Sequence, residues 1–209
     1  MRKLLAVLNV ALVVGYPLAV YFGLTRFGAR GVSLLLLALL LPGLLQKFAR
    51  ASREDLRTVL GLPLSVFCLV GASALLDDPR LVLALPVLIN VALLIQFGLS
   101  LRGTPMVERF ARMQDPNLGP AQVVYCRTVT LVWCGFFVLN ALVSGYLALF
   151  AELASWALYT GLIAYVLMGV LGACEYLVRK ARFREYGPGL HDRVIARIFP
   201  PPGAGEVTR

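Results

Sequence analysis

Two ionisable residues, Arg127 and Glu175, lie near the edges of long apolar stretches of the sequence. An ionisable side chain is costly in an apolar environment unless it finds a partner, so both residues require an explanation. A carboxylate beside a guanidinium can act as a general acid or base, and the same two groups can form a structural ion pair. We favour the ion pair, because an enzyme would have little else to work with than Glu54, Asp55 and His191.

Four amide side chains also interrupt the apolar stretches, those of Asn9, Asn90, Gln96 and Asn140. Asn90 follows Pro86 by one helical turn, and a proline leaves the carbonyl one turn before it without an N–H partner. Asn90 and Asn140 are therefore candidates for lining a small polar cavity. Kinking prolines are also common in ordinary helix bundles, so a cavity and a purely structural role both stay open.

Most other familiar chemistry is missing from the sequence. The four cysteines form no C-x-x-C pair, and the single histidine, His191, excludes a His-based metal cluster. The sequence also contains no G-x-x-x-x-G-K-[S/T] phosphate-binding loop. We therefore expect no metal and no cofactor, and the catalytic residues, if there are any, are unknown.

The composition indicates which environment surrounds these polar residues. Of the 209 residues, 59% are hydrophobic and 15% are charged, against roughly 45–50% apolar and about 25% charged in soluble domains. Such a chain buries its apolar surface in lipid, where a spanning helix needs roughly 20 apolar residues. The predicted fold is an all-α membrane bundle of six transmembrane helices. Its spans are Leu4–Gly23, Gly31–Leu45, Thr58–Leu76, Leu81–Leu101, Thr128–Phe150 and Trp156–Val178.

The distribution of charge predicts the orientation of this bundle. Seventeen of the twenty Lys and Arg residues fall on one side of the six-span layout, and Arg26, Arg30 and Arg80 fall on the other. Because positive residues collect on the cytoplasmic side, both termini are predicted to be cytoplasmic, with an uncleaved first helix. The predicted organisation is a transmembrane domain over residues 1–178 and a basic cytoplasmic tail over residues 179–209. The net charge of +9 favours anionic lipid headgroups as partners, and we expect no nucleic acid.

Two of the predicted cytoplasmic segments, 104–113 and 189–199, are amphipathic and are expected to lie at the membrane interface. In the first, Thr104 is a candidate helix cap. One face of this helix would carry Met106, Phe110 and Met113, and the other Glu108, Arg109 and Arg112. Docking of a partner protein would use the same faces and stays an alternative.

Arg127 and Glu175 would lie at the same membrane depth on antiparallel neighbouring helices, so we predict an ion pair between them. Arg179, four residues after Glu175, is the competing partner. Trp133 and Trp156 are expected to anchor the inner and outer interfaces. A stripe suited to close helix packing contains Arg127, Thr130, Cys134, Phe137, Ala141 and Ser144.

Three motifs in the second half of the chain carry a family resemblance. They are TP-x-x-x-RFAR from Thr104, R-x-x-T-x-x-W-x-x-FF from Arg127, and EY-x-x-R-x-x-RF from Glu175. On these motifs the chain resembles an uncharacterised family of bacterial inner-membrane proteins, often encoded beside genes for aryl polyene pigments; the first three helices match only in hydropathy. A more limited similarity links the Arg127 helix to the intracellular septation protein A family.

The resemblance implies a location in the bacterial inner membrane but carries no reaction with it. The residues that match its motifs one by one are Arg127, Thr130, Trp133, Phe136, Phe137, Glu175 and Tyr176. The candidate polar and structural cluster contains Arg127, Thr130, Trp133, Glu175, Tyr176, Asn90 and Asn140.

Three functions follow as hypotheses. The favoured one is a non-catalytic integral membrane protein that supports envelope-lipid or polyene biosynthesis at the cytoplasmic leaflet, with acyl-chain biosynthetic proteins as partners. The second is a small lipid or metabolite transporter with a cavity near Asn90 and Asn140. The third is a membrane acyl- or glycosyl-transferase that uses Glu175 with Arg127.

Overall fold

The computed structural model describes residues 2–50 and 56–184, and the side chains of residues 15–46, 63–113 and 115–184. All regular structure within these residues is helical. The helices are α1 (Arg2–Arg50), α2 (Leu56–Leu76), α3 (Pro79–Leu83), α4 (Leu85–Ser100), α5 (Met106–Gln114), α6 (Pro120–Phe150), α7 (Leu153–Leu158) and α8 (Ala164–Phe183). A π-helical turn, Tyr159–Ile163, joins α7 to α8. The predicted segment 189–199, Glu54, Asp55, His191 and the side chain of Asn9 lie outside the described residues.

Four described helical stretches are long and apolar enough to cross a membrane. They are Gly15–Gln46, Pro79–Ser100, Pro120–Phe150 and Leu153–Phe183, and Pro63–Leu76 is a shorter apolar helix. Between 17% and 28% of the most apolar part of each long stretch is buried inside the protein. The remaining apolar surface is far larger than the patches that soluble monomers expose. The predicted all-α class is confirmed, and the helices fit a membrane bundle.

Helix α1 is broken into two arms at Gly28, whose φ of 68° and ψ of −179° lie in a region that essentially only glycine occupies. The arms, residues 2–27 and 29–50, fold back on each other. A Cβ placed on Gly23 would lie only 2.7 Å from Cγ2 of Val32, whereas nine residues of straight helix would separate the two by about 13 Å. The sequence predicts two separate helices here, and the structure reverses the chain at a single residue.

The second arm of α1 packs antiparallel to α2 through polar contacts at one end. The Ser33 hydroxyl donates a hydrogen bond to the Ser73 hydroxyl at 2.9 Å, and the Ser73 hydroxyl donates to the Asp78 carbonyl at 2.8 Å. The Arg30 backbone N–H donates to Oδ1 of Asp77 at 2.9 Å. Both serines are fully buried, so their hydroxyls are satisfied within the protein, as burial requires.

The helix is broken between α3 and α4, and two backbone carbonyls at the break accept hydrogen bonds from side chains that are distant in the sequence. Pro86 has no N–H to donate to the carbonyl of Val82 one turn earlier. The Tyr16 hydroxyl donates to this carbonyl at 3.1 Å, and Nε1 of Trp156 donates to the neighbouring carbonyl of Leu83 at 3.0 Å. Trp156 is fully buried. The prediction that Trp156 anchors a membrane interface is therefore wrong. Trp156 is buried inside the bundle, where its indole N–H donates to a backbone carbonyl at the break between α3 and α4.

Helices α4 and α6 run antiparallel and pack closely along their length. The rings of Phe97 and Phe137 meet edge to face with centroids 5.1 Å apart. Near the other end, a Cβ on Gly145 would touch Cγ2 of Val87 at 3.7 Å, an ordinary contact distance. Midway between these contacts lie the buried amides of Asn90 and Asn140. This helix pair therefore places the two candidate amides side by side.

Candidate functional site

A chain of hydrogen bonds through the middle of the bundle connects three helical segments. The Tyr159 hydroxyl donates to Oδ1 of Asn140 at 2.8 Å. Nδ2 of Asn140 donates to Oδ1 of Asn90 at 3.2 Å, and Nδ2 of Asn90 donates to the carbonyl of Pro86 at 2.8 Å. Asn90 and Asn140 are 8% and 5% exposed. The two amides that the sequence offers as candidates for lining a cavity are thus bonded to each other.

Tyr159 reaches this chain from the π-helical turn. A π turn adds a residue to the helical repeat, and such turns are frequent at functional sites. At the same turn Gly161 lies against Pro17 of α1, where a Cβ would approach the proline Cβ to 3.3 Å. The close approach favours a residue without a side chain, so the turn serves packing as well as the placement of Tyr159.

The polar chain contains no group that is charged at neutral pH. Amide and phenol groups of this kind cross-link helices, each bond being worth on average about 0.6 kcal/mol and at most about 1.7 kcal/mol in a membrane protein. A solute that bound between Asn90 and Asn140 would have to replace their mutual hydrogen bond. The arrangement therefore favours the structural role over the polar cavity that a transporter would use.

A second group of candidate residues lies where α5 docks on the ends of α4 and α6. Two backbone N–H groups in the first turn of α5 are bound by side chains from other helices. The N–H of Met106 donates to the Ser100 hydroxyl at 2.9 Å, and that of Val107 to the Thr130 hydroxyl at 3.3 Å. The sequence predicts Thr104 as the cap, but the residue at the cap position is Pro105. The acceptors for the first N–H groups of α5 are the hydroxyls of Ser100 and Thr130.

The face that α5 turns towards the bundle also differs from the prediction. Glu108, expected on the polar outer face, is 6% exposed and pairs with Nη2 of Arg112 at 2.7 Å. Phe110 and Met113, expected on the apolar face together with Met106, are 54% and 81% exposed and so do not contradict that expectation. The periodicity defines the helix correctly, but the bonds from Ser100 and Thr130 fix its rotation and bring Glu108 inward.

The predicted ion pair between Arg127 and Glu175 is wrong. Nη1 of Arg127 donates to the carbonyl of Leu101 at 2.9 Å, at the end of α4. Glu175 instead pairs with Arg179, with Oε1 3.5 Å from Nε. Tyr125 faces α8, since its hydroxyl donates to the Glu175 carbonyl at 3.2 Å. Because residues two positions apart point to opposite sides of a helix, Arg127 must face away from Glu175.

At the C-terminal end of α8, the charged groups of basic side chains lie over aromatic rings. The guanidinium of Arg179 lies 5.7 Å and the ammonium of Lys180 5.5 Å from the centroid of the Tyr176 ring. The guanidinium of Arg182 lies 5.8 Å from the Tyr125 ring. Such cation–π contacts contribute about 0.5–1 kcal/mol at exposed sites. The end of α8 therefore carries one surface of mutually contacting side chains, formed by Glu175, Tyr176 and the basic residues after them.

Thr130 and Trp133 lie about one helical turn apart on α6. The Trp133 ring lies 5.8 Å from each of the rings of Phe136 and Phe137. Thr130 is fully buried, and besides accepting from α5 it donates to the carbonyl of Cys126 at 2.8 Å. These residues connect the docked α5 to the packed interior of α6.

The two ends of the described bundle differ in charge. The end near Gly28 carries three basic and three acidic residues: Arg26, Arg30, Arg80, Asp77, Asp78 and Glu152. Among the residues whose side chains are described, the end near α5 carries eight basic residues and three acidic ones. They are Arg102, Arg109, Arg112, Arg127, Arg179, Lys180, Arg182 and Arg184, with Glu108, Asp115 and Glu175. We call this second end the basic end, and it holds both α5 and the Glu175 surface.

Sequence reasoning missed Tyr159, Ser100 and the inward position of Glu108. Pro86 was a usable signal for the carbonyl that Tyr16 satisfies, because the missing N–H can be read from the sequence. The π turn that delivers Tyr159 has no comparable signature. The described residues contain no group of three or more His, Cys, Asp or Glu side chains that could hold a metal ion.

Comparison with known proteins identifies no relative of this chain. The chain matches no protein-family model, and no curated protein or solved structure is significantly similar to it. The family resemblance carried by the three motifs therefore stays a prediction.

Proposed function

We propose that this chain is an integral protein of the bacterial inner membrane that supports envelope-lipid or polyene biosynthesis from the cytoplasmic leaflet without catalysing a reaction itself. In this proposal the chain crosses the membrane six times, the two arms of α1 and helix α2 supplying three of the crossings. Both termini and the basic end are cytoplasmic, in agreement with the preference of positive residues for that side.

The observation that carries the proposal is the way α5 is held at the basic end. The hydroxyls of Ser100 and Thr130 accept hydrogen bonds from the first N–H groups of this helix, and the buried Glu108 pairs with Arg112. The anchored helix leaves Phe110 and Met113 exposed beside a surface rich in Arg and Lys. Apolar side chains flanked by cations suit anionic headgroups and acidic partner proteins at a membrane surface.

The transferase hypothesis has less support from the geometry. It requires Glu175 and Arg127 to act on one substrate, but Glu175 pairs with Arg179 on its own helix and Arg127 bonds to the end of α4. The transporter hypothesis would place its solute between Asn90 and Asn140, whose amides are bonded to each other. We therefore retain the accessory role as the proposed function.

The lipid and polyene profile of a deletion strain tests this proposal. We expect altered acyl-chain or polyene products that the wild-type gene restores. The double variant Phe110→Ser and Met113→Ser should fail to restore them although the protein accumulates normally. Phe150→Ser, which changes an equally exposed ring at the other end of α6, should restore them fully. An unchanged profile in the deletion strain would refute the proposal.

A further inference from the structure

The two arms of α1 enclose a cleft that none of the preceding interactions fills. Its volume is about 460 Å³, within the range of roughly 300–1,000 Å³ that is usual for small-molecule sites. The first arm contributes Tyr16, Ala19 and Phe22, and the second arm contributes Val32, Leu35 and Leu39. The arms come closest at Gly23 and Val32, and both residues also line the cleft.

The length of the cleft matches one leaflet of a bilayer. Along the first arm its lining extends from Tyr16 to Phe27, a separation that rises about 17 Å in a helix. The hydrocarbon core of a bilayer is about 30 Å thick, so one leaflet contributes about half of that. Phe22, Leu35 and Leu39 are 59%, 58% and 68% exposed, which leaves the cleft open to the surrounding lipid.

A single cation, Arg26, stands among the apolar residues that line the cleft. It lies two residues before the reversal at Gly28, where the first arm reaches the end of its span. The neighbouring Arg30 is engaged through its backbone with Asp77 and through Nε with the Ala74 carbonyl. The ion pairs formed by described side chains lie at the basic end, on Arg112 and Arg179. The charge of Arg26 is therefore available to a ligand.

We propose that this cleft binds one acyl chain of an anionic phospholipid taken from the surrounding bilayer, with the phosphate of the headgroup on Arg26. The apolar lining holds the chain at the depth of one leaflet, and the guanidinium selects a negatively charged headgroup. This site lies at the opposite end from α5 and uses none of its residues. It does not depend on the proposed accessory function.

Native mass spectrometry of the delipidated full chain tests the site. The probes are dioleoyl phosphatidylglycerol, which is anionic, and dioleoyl phosphatidylethanolamine, which carries the same acyl chains without net charge. We expect one phosphatidylglycerol to be retained per chain. Arg26→Gln should reduce its retention about fivefold, the factor that one surface cation contributes to binding of anionic lipid. Ala19→Trp, which fills the cleft from an exposed position, should reduce retention to the level of phosphatidylethanolamine.

Two matched variants control for general effects. Arg80→Gln removes a cation at the same end, and Leu18→Trp adds a tryptophan on the same arm but outside the cleft. Both should retain phosphatidylglycerol, and circular dichroism and gel filtration establish that every variant is folded.

The proposal is overturned by equal retention of the two lipids, by full retention in folded Ala19→Trp or Arg26→Gln, or by equal loss in the controls. Arg26→Lys keeps the charge and should preserve retention if Arg26→Gln proves unstable. Loss in both Arg26 variants would instead contradict an electrostatic role.

Discussion

The Tyr16 hydroxyl donates a hydrogen bond to the Val82 carbonyl, the group that Pro86 leaves without a helical N–H. Residues 66 positions apart in the chain are thereby joined at a point where a transmembrane helix is broken. Tyr16→Phe should lower the free energy of unfolding by about 1–3 kcal/mol, because a buried carbonyl loses its partner. Denaturation in mixed micelles measures this loss, and Tyr21→Phe on the same arm is the matched control.

The same bond predicts a specific coupling between Tyr16 and Pro86. Pro86→Ala returns an N–H that can bond to the Val82 carbonyl, so Tyr16→Phe should cost less stability in that background than in the wild type. A double-mutant cycle gives the difference. Additive losses would show that the two residues do not act on one carbonyl.

The Asn90–Asn140 bond should be measurable in the same way. Asn140→Leu and Asn90→Leu are each expected to destabilise the bundle, with a coupling energy of about 0.6–1.7 kcal/mol between them. Tyr159→Phe should show a coupling of the same sign with Asn140→Leu. Zero coupling would contradict the hydrogen-bond chain described for the middle of the bundle.

Replacement of Gly28 should be more costly than replacement of Gly43, a glycine of the same helix with open space around it. The φ of 68° with ψ near 180° disfavours any residue with a Cβ, so Gly28→Ala should destabilise the protein by about 1–3 kcal/mol. Gly43→Ala is the control, because this glycine is helical and a Cβ there meets nothing within 4 Å. Equal effects of the two substitutions would argue against a reversal at Gly28.

The docking of α5 should depend on residues that do not belong to its exposed face. Thr130→Val removes an acceptor from the α5 N–H groups, and Glu108→Ala removes the buried carboxylate. Both variants should increase protease cleavage within residues 104–119 in detergent, because the anchored helix is released. Met113→Gln changes an exposed residue of the same helix and should leave the cleavage rate unchanged.

The proposed orientation makes its own prediction. Reporter fusions at Asp77 or Ser155 should report the outer side of the membrane, and fusions at Gly103 should report the cytoplasm. A cytoplasmic signal at Asp77 or Ser155 would reverse the assignment of the basic end and remove the support for a cytoplasmic function.

The apolar helices could be read from the sequence, since the hydropathy and length of the apolar stretches indicate them. The rotation of each helix could not. Arg127 turns to α4 and Glu108 turns inward because of neighbours, Leu101 and Thr130, that only the packed structure brings near. The prediction for Arg127 failed because it used membrane depth and ignored the direction set by Tyr125 on the same helix.

The reversal of α1 at one glycine has a consequence for biogenesis. In the proposed six-span layout the two arms have no connecting loop, so we expect the membrane-insertion machinery to accept residues 2–50 as one hairpin. A deletion within either arm would then prevent integration of both.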